Sequence, residues 1–403
     1  MQSCSAAGAS PASSHAAGAS TRQILGFVYF TFVVYLSVGL PLAVLPPYVH
    51  LQMGFSAALA GLVISIQYIA TLVSRPWAGR ISDRAGAKVS VLWGMGLCSA
   101  SGALLIAAAA LQAIPWLSLS ALFASRLVLG VGESLGSTGA TLWGISSAGQ
   151  ASTARVISFN GISTYGAMAL GAPLGVILDS LGGLTSIGLL ILLLGAFSLA
   201  LASRKKPVAV THGEHLPFSH VLGRVAPHGM ALALGGVGYS TLATFVTLFY
   251  LSRHWSGAAL CLTAFGLAFV GARLLFMQAI NRFGGYPVAM ACLSVESLGV
   301  LLLWSARSPW MAFTAAALAG FGFSLVFPAL GVEAVKRVTE NNRGAALGVF
   351  TAFADVSFFL TGPLAGAVIG LWGYSSVFLF ALGCVLGALA IVVILGQPGS
   401  KRA

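Results

Sequence analysis

Three ionisable side chains lie inside long apolar stretches of the sequence. Arg126 and Glu133 are seven residues apart in one stretch, and Asp355 lies about ten residues into another. Seven residues make close to two helical turns, so Arg126 and Glu133 share a helix face and lie about 10 Å apart along the axis. Charges at membrane depth usually face a bundle interior or a water-filled cavity. All three are therefore candidates for proton coupling.

The two acids need not have the same role. Asp355 has no basic residue close in its own helix, so we expect it to be the proton carrier. Glu133 is expected to share its site with cargo or with Arg126, and because of the separation a neighbour or a water would have to bridge that pair. A structural network remains the alternative for Arg126 and Glu133.

Polar side chains in other apolar stretches are candidates for lining a substrate cavity. They are Tyr35, Gln67, Tyr68, Asn160, Tyr165 and Tyr239. Each is equally compatible with a hydrogen bond between helices.

The elements that carry these residues must be membrane helices. Of 403 residues, 58% are hydrophobic and only 7% are charged, which excludes a soluble domain. A helix that crosses the bilayer core needs about 20 mostly apolar residues. Twelve stretches meet this length, near 24–46, 56–74, 89–111, 118–141, 157–178, 185–203, 229–251, 258–279, 287–306, 310–332, 345–368 and 375–395. The predicted fold class is an all-α integral membrane protein.

The distribution of basic residues predicts the orientation. On this map only two Lys or Arg residues, Arg253 and Arg307, lie in connections on one side of the membrane. The connections and tails on the other side contain many more Lys and Arg residues. An excess of Lys and Arg in short loops marks the cytoplasmic side, so both termini are expected in the cytoplasm. The net charge of +12 then reflects topology, and scattered basic residues do not favour a nucleic-acid partner.

A short charged loop occurs twice. The segment 79–88 after the second helix returns in degraded form within 273–285, at an offset of 198 residues that aligns Arg75 with Arg273. Such self-similarity predicts two related halves. The candidate gating residues of the two copies are Gly79, Asp83, Arg84, Gly86, Lys88, Asn281 and Arg282. Asp83 could accept charge-assisted hydrogen bonds at a helix end and act as a latch, or it could be a solvated loop charge.

The predicted domains follow from this map. They are a disordered N-terminal tail (1–21), a six-helix bundle (22–203), a cytoplasmic linker (204–228), a second six-helix bundle (229–396) and a C-terminal tail (397–403). The five cysteines follow no metal or disulfide spacing. Because the sequence contains no nucleotide loop, metal cluster or nucleophilic triad, we predict no enzyme activity, no cofactor and no metal.

The loop pattern Gly79-x-x-x-Asp83-Arg84-x-Gly86-x-Lys88, together with the layout of six plus six helices, resembles the major facilitator superfamily (MFS) over essentially the whole chain. More narrowly, the segments Val38–Leu42, Gly331–Val338 and Tyr374–Phe378 are similar to the YhhS/YfcJ group of bacterial inner-membrane transporters.

The resemblance implies a monomeric secondary transporter of the inner membrane that moves a small organic molecule by alternating access, with protons and membrane lipid as further partners. It associates the fourth-helix Arg126 with proton transfer, and it implies that the loop at Asp83 and Arg84 grips helices of the other half. It also makes the ninth helix peripheral, so Glu296 there is expected to be a structural partner or a neutral acid.

The stretch Gly171, Pro173 and Gly175 is similar to the fifth-helix motif of facilitator antiporters, although Ala172 is inserted between Gly171 and Pro173. This similarity favours export. Uptake by proton symport is the alternative, and a non-transporting membrane sensor or scaffold is the third reading.

Overall fold

We describe the protein from a computed structural model that covers residues 21–149, 152–208, 218–276, 278–338 and 343–397. Most of the predicted N-terminal tail, the middle of the predicted linker and most of the C-terminal tail lie outside these ranges.

We number the membrane-crossing helices α1 to α12. In the first half they are α1 (Thr21–Gly39), α2 (Ala57–Arg84), α3 (Ala87–Ala110), α4 (Pro115–Ala148) and the two arms, α5 and α6, of the helical segment Thr153–Arg204. In the second half they are α7 (Phe218–Ser252), α8 (Ala258–Leu275), α9 (Gly285–Trp304), α10 (Pro309–Phe323 with Val326–Val335), α11 (Arg343–Trp372) and α12 (Ser376–Gly396). Short helices in the connections cover Leu45–Pro47, Tyr48–Gln52 and Ala279–Phe283.

The segment Thr153–Arg204 contains two crossings. Its 52 residues would make a straight helix of about 78 Å, far longer than the roughly 30 Å bilayer core. The backbone leaves helical geometry at Gly182 and Gly183, where Gly183 has φ +62° and ψ −159°, a conformation that favours glycine. Ser186 Oγ donates to the Leu178 and Gly183 carbonyls across this bend. The predicted fifth and sixth helices are thus confirmed as separate crossings.

In the second half, helix α7 starts earlier than the sequence predicts, and the predicted tenth helix is interrupted between Phe323 and Val326. Helix α7 begins at Phe218, inside the segment predicted as linker. The apolar pattern marks only the part of α7 suited to lipid, whereas the first turns of a helix outside the membrane need no apolar run.

Two lysines at helix ends donate hydrogen bonds that join helices of the first half. Lys88 Nζ donates to the backbone carbonyls of Ser203 and Lys205, both at 2.7 Å. Lys205 Nζ donates to the Gly26 carbonyl at 2.8 Å. These bonds bring the beginnings of α1 and α3 and the end of α6 to one side of the bundle, which we call the termini side; the opposite side is the far side.

Two helix pairs form the interface between the halves. Helix α2 packs against α11, and a Cβ atom added to Gly61 would collide with the Gly362 carbonyl, so these backbones are as close as glycine permits. Helix α5 packs against α8, where Thr263 Oγ1 donates to the Ala169 carbonyl at 2.9 Å. We call these pairs the α2/α11 seam and the α5/α8 seam.

A further contact between the halves lies on the far side. His50 Nε2 is 3.0 Å from the Tyr374 hydroxyl. His50 belongs to the connection between α1 and α2, and Tyr374 to that between α11 and α12. Among the described residues, contacts between the halves therefore extend from the far side to the middle of the bundle.

The first testable expectation concerns orientation. The excess of Lys and Arg predicts that the termini side faces the cytoplasm. Reporter fusions at Gly213 and near Lys401 should both report a cytoplasmic location. A periplasmic signal at either position would contradict the predicted topology.

Candidate functional site

Gln67 of α2 connects Arg126 and Glu133 of α4. Its Oε1 accepts a hydrogen bond from Arg126 Nη1 at 3.4 Å, and its Nε2 donates to Glu133 Oε2 at 3.3 Å. Thr71 Oγ1 donates to the same carboxylate oxygen at 3.2 Å. The group that bridges Arg126 and Glu133 is thus the side chain of Gln67. We call Arg126, Glu133, Gln67 and Thr71 the polar network.

The polar network is almost fully enclosed. Arg126 is 1% exposed and Glu133 is 2% exposed. Two guanidinium nitrogens of Arg126, Nε and Nη2, have no hydrogen-bond partner among the described residues. The Tyr35 hydroxyl lies beside the Glu133 carboxylate. Because an unpaired polar atom away from water is costly, Arg126 gains from any group that approaches it with negative charge.

Asp355 of α11 forms an ion pair with Arg75 of α2. Arg75 Nη2 donates to Asp355 Oδ1 at 3.0 Å, and Arg75 Nε donates to Oδ2. The two parallel bonds match the fork of the guanidinium group to the carboxylate. Asp355 has no basic residue close in its own helix, but the other half supplies a cation, so Asp355 is not isolated.

One face of α2 connects the ion pair with the polar network. Gln67, Thr71 and Arg75 follow one another at intervals of four residues, so their side chains lie on neighbouring turns of one helix face. This face reaches Glu133 on α4 and Asp355 on α11. The Arg75 side chain is 24% exposed, whereas the Asp355 side chain is 5% exposed, so this strip of polar side chains on α2 opens to the outside of the bundle at its Arg75 end.

Sequence reasoning did not identify Arg75 and Thr71 as members of the site. A signal was present, because both continue from Gln67 at a spacing of four. In the sequence, the repeated segment marks Arg75 only as the counterpart of Arg273.

Three of the tyrosines predicted to line a cavity meet between the halves. Tyr68 packs edge-on against Phe358 of α11 with ring centroids 5.1 Å apart, and Tyr239 Oη donates to Met168 Sδ at 3.1 Å. Tyr165 stacks on Phe269 at 3.7 Å. A cavity of about 10 Å³ beside Tyr165 and Tyr239 has room for about one water molecule. A larger molecule would fit here only if the halves moved apart.

The remaining cavity candidates have other partners. Asn160 Oδ1 accepts from Thr31 Oγ1, and Asn160 Nδ2 donates to Thr141 Oγ1, both at 2.8 Å. Asn160 therefore joins α5 to α1 and α4 within the first half. This is the alternative to a cavity-lining role, a hydrogen bond between helices. Gln67 belongs to the polar network, and Tyr35 lies beside it.

The two copies of the charged loop share a backbone feature. Gly86 and Gly284 have φ values of +95° and +87°, each directly before the helix that follows. Only glycine adopts this conformation without strain, which explains its place in both copies.

The prediction that these residues lie in a loop is wrong for the part before Ala85, since α2 continues to Arg84, and Asn281 and Arg282 lie in the short helix Ala279–Phe283. Gly79 is partly buried on α2, whereas Arg84, Asn281 and Arg282 are exposed. Lys88 binds the end of α6 in its own half. The side chain of Asp83 lies outside the described residues, so its latch role stays a prediction.

The antiporter-like stretch packs within the first half. A Cβ on Gly171 would lie 2.7 Å from the Gly39 carbonyl carbon, and a Cβ on Gly175 would collide with the Leu40 carbonyl. Pro173 lies between them inside α5. Here α5 meets the end of α1 at backbone distance.

Glu296 on α9 is fully enclosed. It has no exposed surface, and neither of its carboxyl oxygens has a hydrogen-bond partner among the described residues. A Cβ on Gly238 of α7 would lie 2.6 Å from its Oε1. It is thus buried within the second half and separate from the polar network.

Comparison with known sequences agrees with this architecture. The family model described as Major Facilitator Superfamily matches residues 27–276 and 229–403. An uncharacterized MFS-type transporter of Pseudomonas aeruginosa is 57% identical over 391 residues, which cover 97% of each chain. An uncharacterized MFS-type transporter of Burkholderia pseudomallei is 51% identical over 389 residues, which cover 96% of each chain.

A comparison with solved structures finds the same fold. The crystal structure of a D-xylose-proton symporter superimposes with a TM-score of 0.76 at 14% identity, covering 94% of this chain and 99% of the symporter.

Proposed function

The chain belongs to the major facilitator superfamily, a family of membrane transporters, and we propose that it couples the movement of protons to the export of a small organic molecule. The ion pair between Arg75 and Asp355 carries this proposal. It joins the two halves at the point where the strip of polar side chains on α2 becomes accessible to water. A charge change there acts directly on the contact that alternating access must break.

Protonation of Asp355 removes the charge that holds Arg75. Because the paired carboxylate favours the conformation in which α2 and α11 are joined, a proton shifts the population toward the conformation in which they separate. Return of the proton to water restores the pair. Asp355 thus acts as the proton carrier. Because Arg75 pairs only with the charged form of Asp355, the protonation of Asp355 affects α2 in the opposite half.

Glu133 has a different role in this proposal. Its carboxylate accepts bonds from Gln67 and Thr71, on the α2 face that also carries Arg75. Movement of α2 therefore changes the surroundings of Glu133 and of Arg126, which has two unpaired nitrogens. We assign Glu133 and Arg126 to cargo binding and to its coupling with the proton.

Export is supported by the stretch Gly171, Pro173 and Gly175, which resembles the motif of facilitator antiporters and makes α5 and α1 pack closely. Uptake by symport uses the same charged residues and differs in the side of the membrane from which the cargo enters the transporter. The narrower resemblance to the YhhS/YfcJ group, the monomeric state and the inner-membrane orientation belong to the proposal as well.

Cargo and direction can be determined together. A deletion strain and an overexpressing strain are tested for growth against a broad panel of compounds, and each compound that separates them is then measured for flux in everted membrane vesicles. For an exporter, these vesicles accumulate cargo when their lumen is acidic. Accumulation only in right-side-out vesicles would indicate symport, and a chain that carries no compound would be a sensor or scaffold.

A further inference from the structure

Arg273 of α8 stands out because it is partly buried and has no acidic partner in the part of the chain that the structure describes. It is neither fully exposed nor fully enclosed. Among the described residues, no side chain or backbone atom forms a hydrogen bond or ion pair with its guanidinium group. Its contact is with the Phe269 ring, whose centroid lies 5.3 Å from Arg273 Cζ.

The α5/α8 seam has a space for this guanidinium group. A Cβ on Gly161 of α5 would collide with Arg273 Nη1 and lie 3.2 Å from Arg273 Cζ. The guanidinium group therefore occupies the position that a side chain at residue 161 would need. Arg273 reaches across the interface between the halves, as Arg75 does on the other seam.

The internal repeat shows what is missing. Arg75 and Arg273 correspond at the offset of 198 residues, and Asp355 corresponds to Tyr165 at the offset of 190 that also relates Pro363 to Pro173. On the α2/α11 seam the arginine faces a carboxylate. On the α5/α8 seam the equivalent position holds a phenol ring.

Among the described residues, the charges at and beside the interface between the halves are consequently unbalanced. Arg75, Arg126 and Arg273 are cations, and the acids that face them are Glu133 and Asp355. The enclosed Glu296 belongs to the second half and forms no ion pair with any of these arginines. One guanidinium group therefore has no counter-charge, and a planar fork of donors is suited to a carboxylate or another anion with paired oxygens.

We propose that Arg273 binds the negatively charged group of the cargo, so that the transported molecule is a small organic anion. The inference depends on the proposed transport function and specifies its cargo class. The apolar body of the anion contacts the aromatic rings that lie next to Arg273 and beside the nearby cavity. Tyr165, Phe269 and Tyr239 supply this surface. The site becomes large enough when α5 and α8 separate.

The test uses compounds that share a scaffold and differ in charge. Benzenesulfonate, benzenesulfonamide and phenyltrimethylammonium form one set; hexanoate, hexanamide and hexyltrimethylammonium form the other. Stabilisation of the purified full-length protein against heat gives the affinity for each compound. We expect the anion of a set to bind, and we expect Arg273→Gln to weaken that binding about tenfold or more, because a charge-assisted hydrogen bond is lost. Arg273→Lys should be intermediate, since lysine keeps the charge and loses the fork.

Arg253→Gln is the matched control, because Arg253 also lies against a phenylalanine ring but on the far side. Binding of the neutral or cationic compound as tight as that of the anion would overturn the inference, as would unchanged anion binding in Arg273→Gln or a panel in which neither anion binds. If Arg273→Gln does not fold, the charge preference of the wild type and Arg273→Lys decide the question.

Counterflow in proteoliposomes separates this inference from the proposed function. Exchange of a neutral or cationic compound without exchange of any anion would leave the transport function intact and disprove the anion site. A chain that exchanges none of these compounds, nor any compound from the strain screen, would contradict the transport function itself.

Discussion

Replacement of Asp355 by asparagine should abolish cargo accumulation driven by a pH gradient while exchange of cargo across the membrane continues. Asparagine has nearly the size of aspartate but cannot carry the charge that holds Arg75. It therefore mimics a permanently protonated carboxyl group. Removing one partner of a buried ion pair costs about 3–5 kcal/mol, and even a third of this cost changes a population roughly tenfold. Gradient-driven accumulation should fall by at least about this factor.

Proteoliposomes with equal amounts of inserted protein allow both measurements. Accumulation is followed with an imposed pH gradient, and exchange is followed by counterflow without one. Asp179→Asn is the matched control, since Asp179 lies near the bend between α5 and α6 and away from the ion pair. Normal proton-dependent accumulation by Asp355→Asn would show that Asp355 is not the proton carrier.

Replacement of Glu133 by glutamine should weaken both cargo binding and flux, in contrast to the Asp355 variant. The amide oxygen can still accept from Gln67 and Thr71, so the fold of the first half should be retained. What is lost is the negative charge near Arg126, which then remains as a buried cation without compensation. We expect affinity to fall about tenfold, within the usual range for a lost charged partner.

The control for this variant is Glu296→Gln. It makes the same substitution in an enclosed carboxyl group that has no hydrogen-bond partner among the described residues. Binding and flux should remain close to wild type in Glu296→Gln. If Glu296→Gln loses proton-dependent flux and Glu133→Gln does not, the assignment of Glu133 is wrong and Glu296 takes its place.

The helices could be predicted from the sequence because each crossing needs its own run of about 20 apolar residues. The boundary between α5 and α6 could be predicted for the same reason, and the backbone leaves helical geometry there at Gly182 and Gly183. The start of α7 at Phe218 could not be predicted, because Ser219, His220 and Arg224 interrupt the apolar pattern there. Hydrophobicity marks where a helix meets lipid and does not mark where it begins.

The site was predictable only within a helix. The need for a bridge between Arg126 and Glu133 follows from their spacing on α4, whereas the bridging role of Gln67 and the hydrogen bond from Thr71 come from the structure. The ion pair between Arg75 and Asp355 joins residues 280 positions apart in two different halves. How the halves dock determines this contact, and the local pattern around either residue contains no information about it.

The most direct test of proton coupling measures the pH inside proteoliposomes while cargo enters them. The cargo is the compound identified by the strain screen, and a pH-sensitive dye is trapped in the lumen. For a proton-coupled exporter we predict that entry of cargo expels protons, so the lumen becomes more alkaline with the wild type and stays unchanged with Asp355→Asn. Acidification of the lumen would indicate symport in place of export. Entry of cargo into wild-type proteoliposomes with no change of lumenal pH would contradict the account.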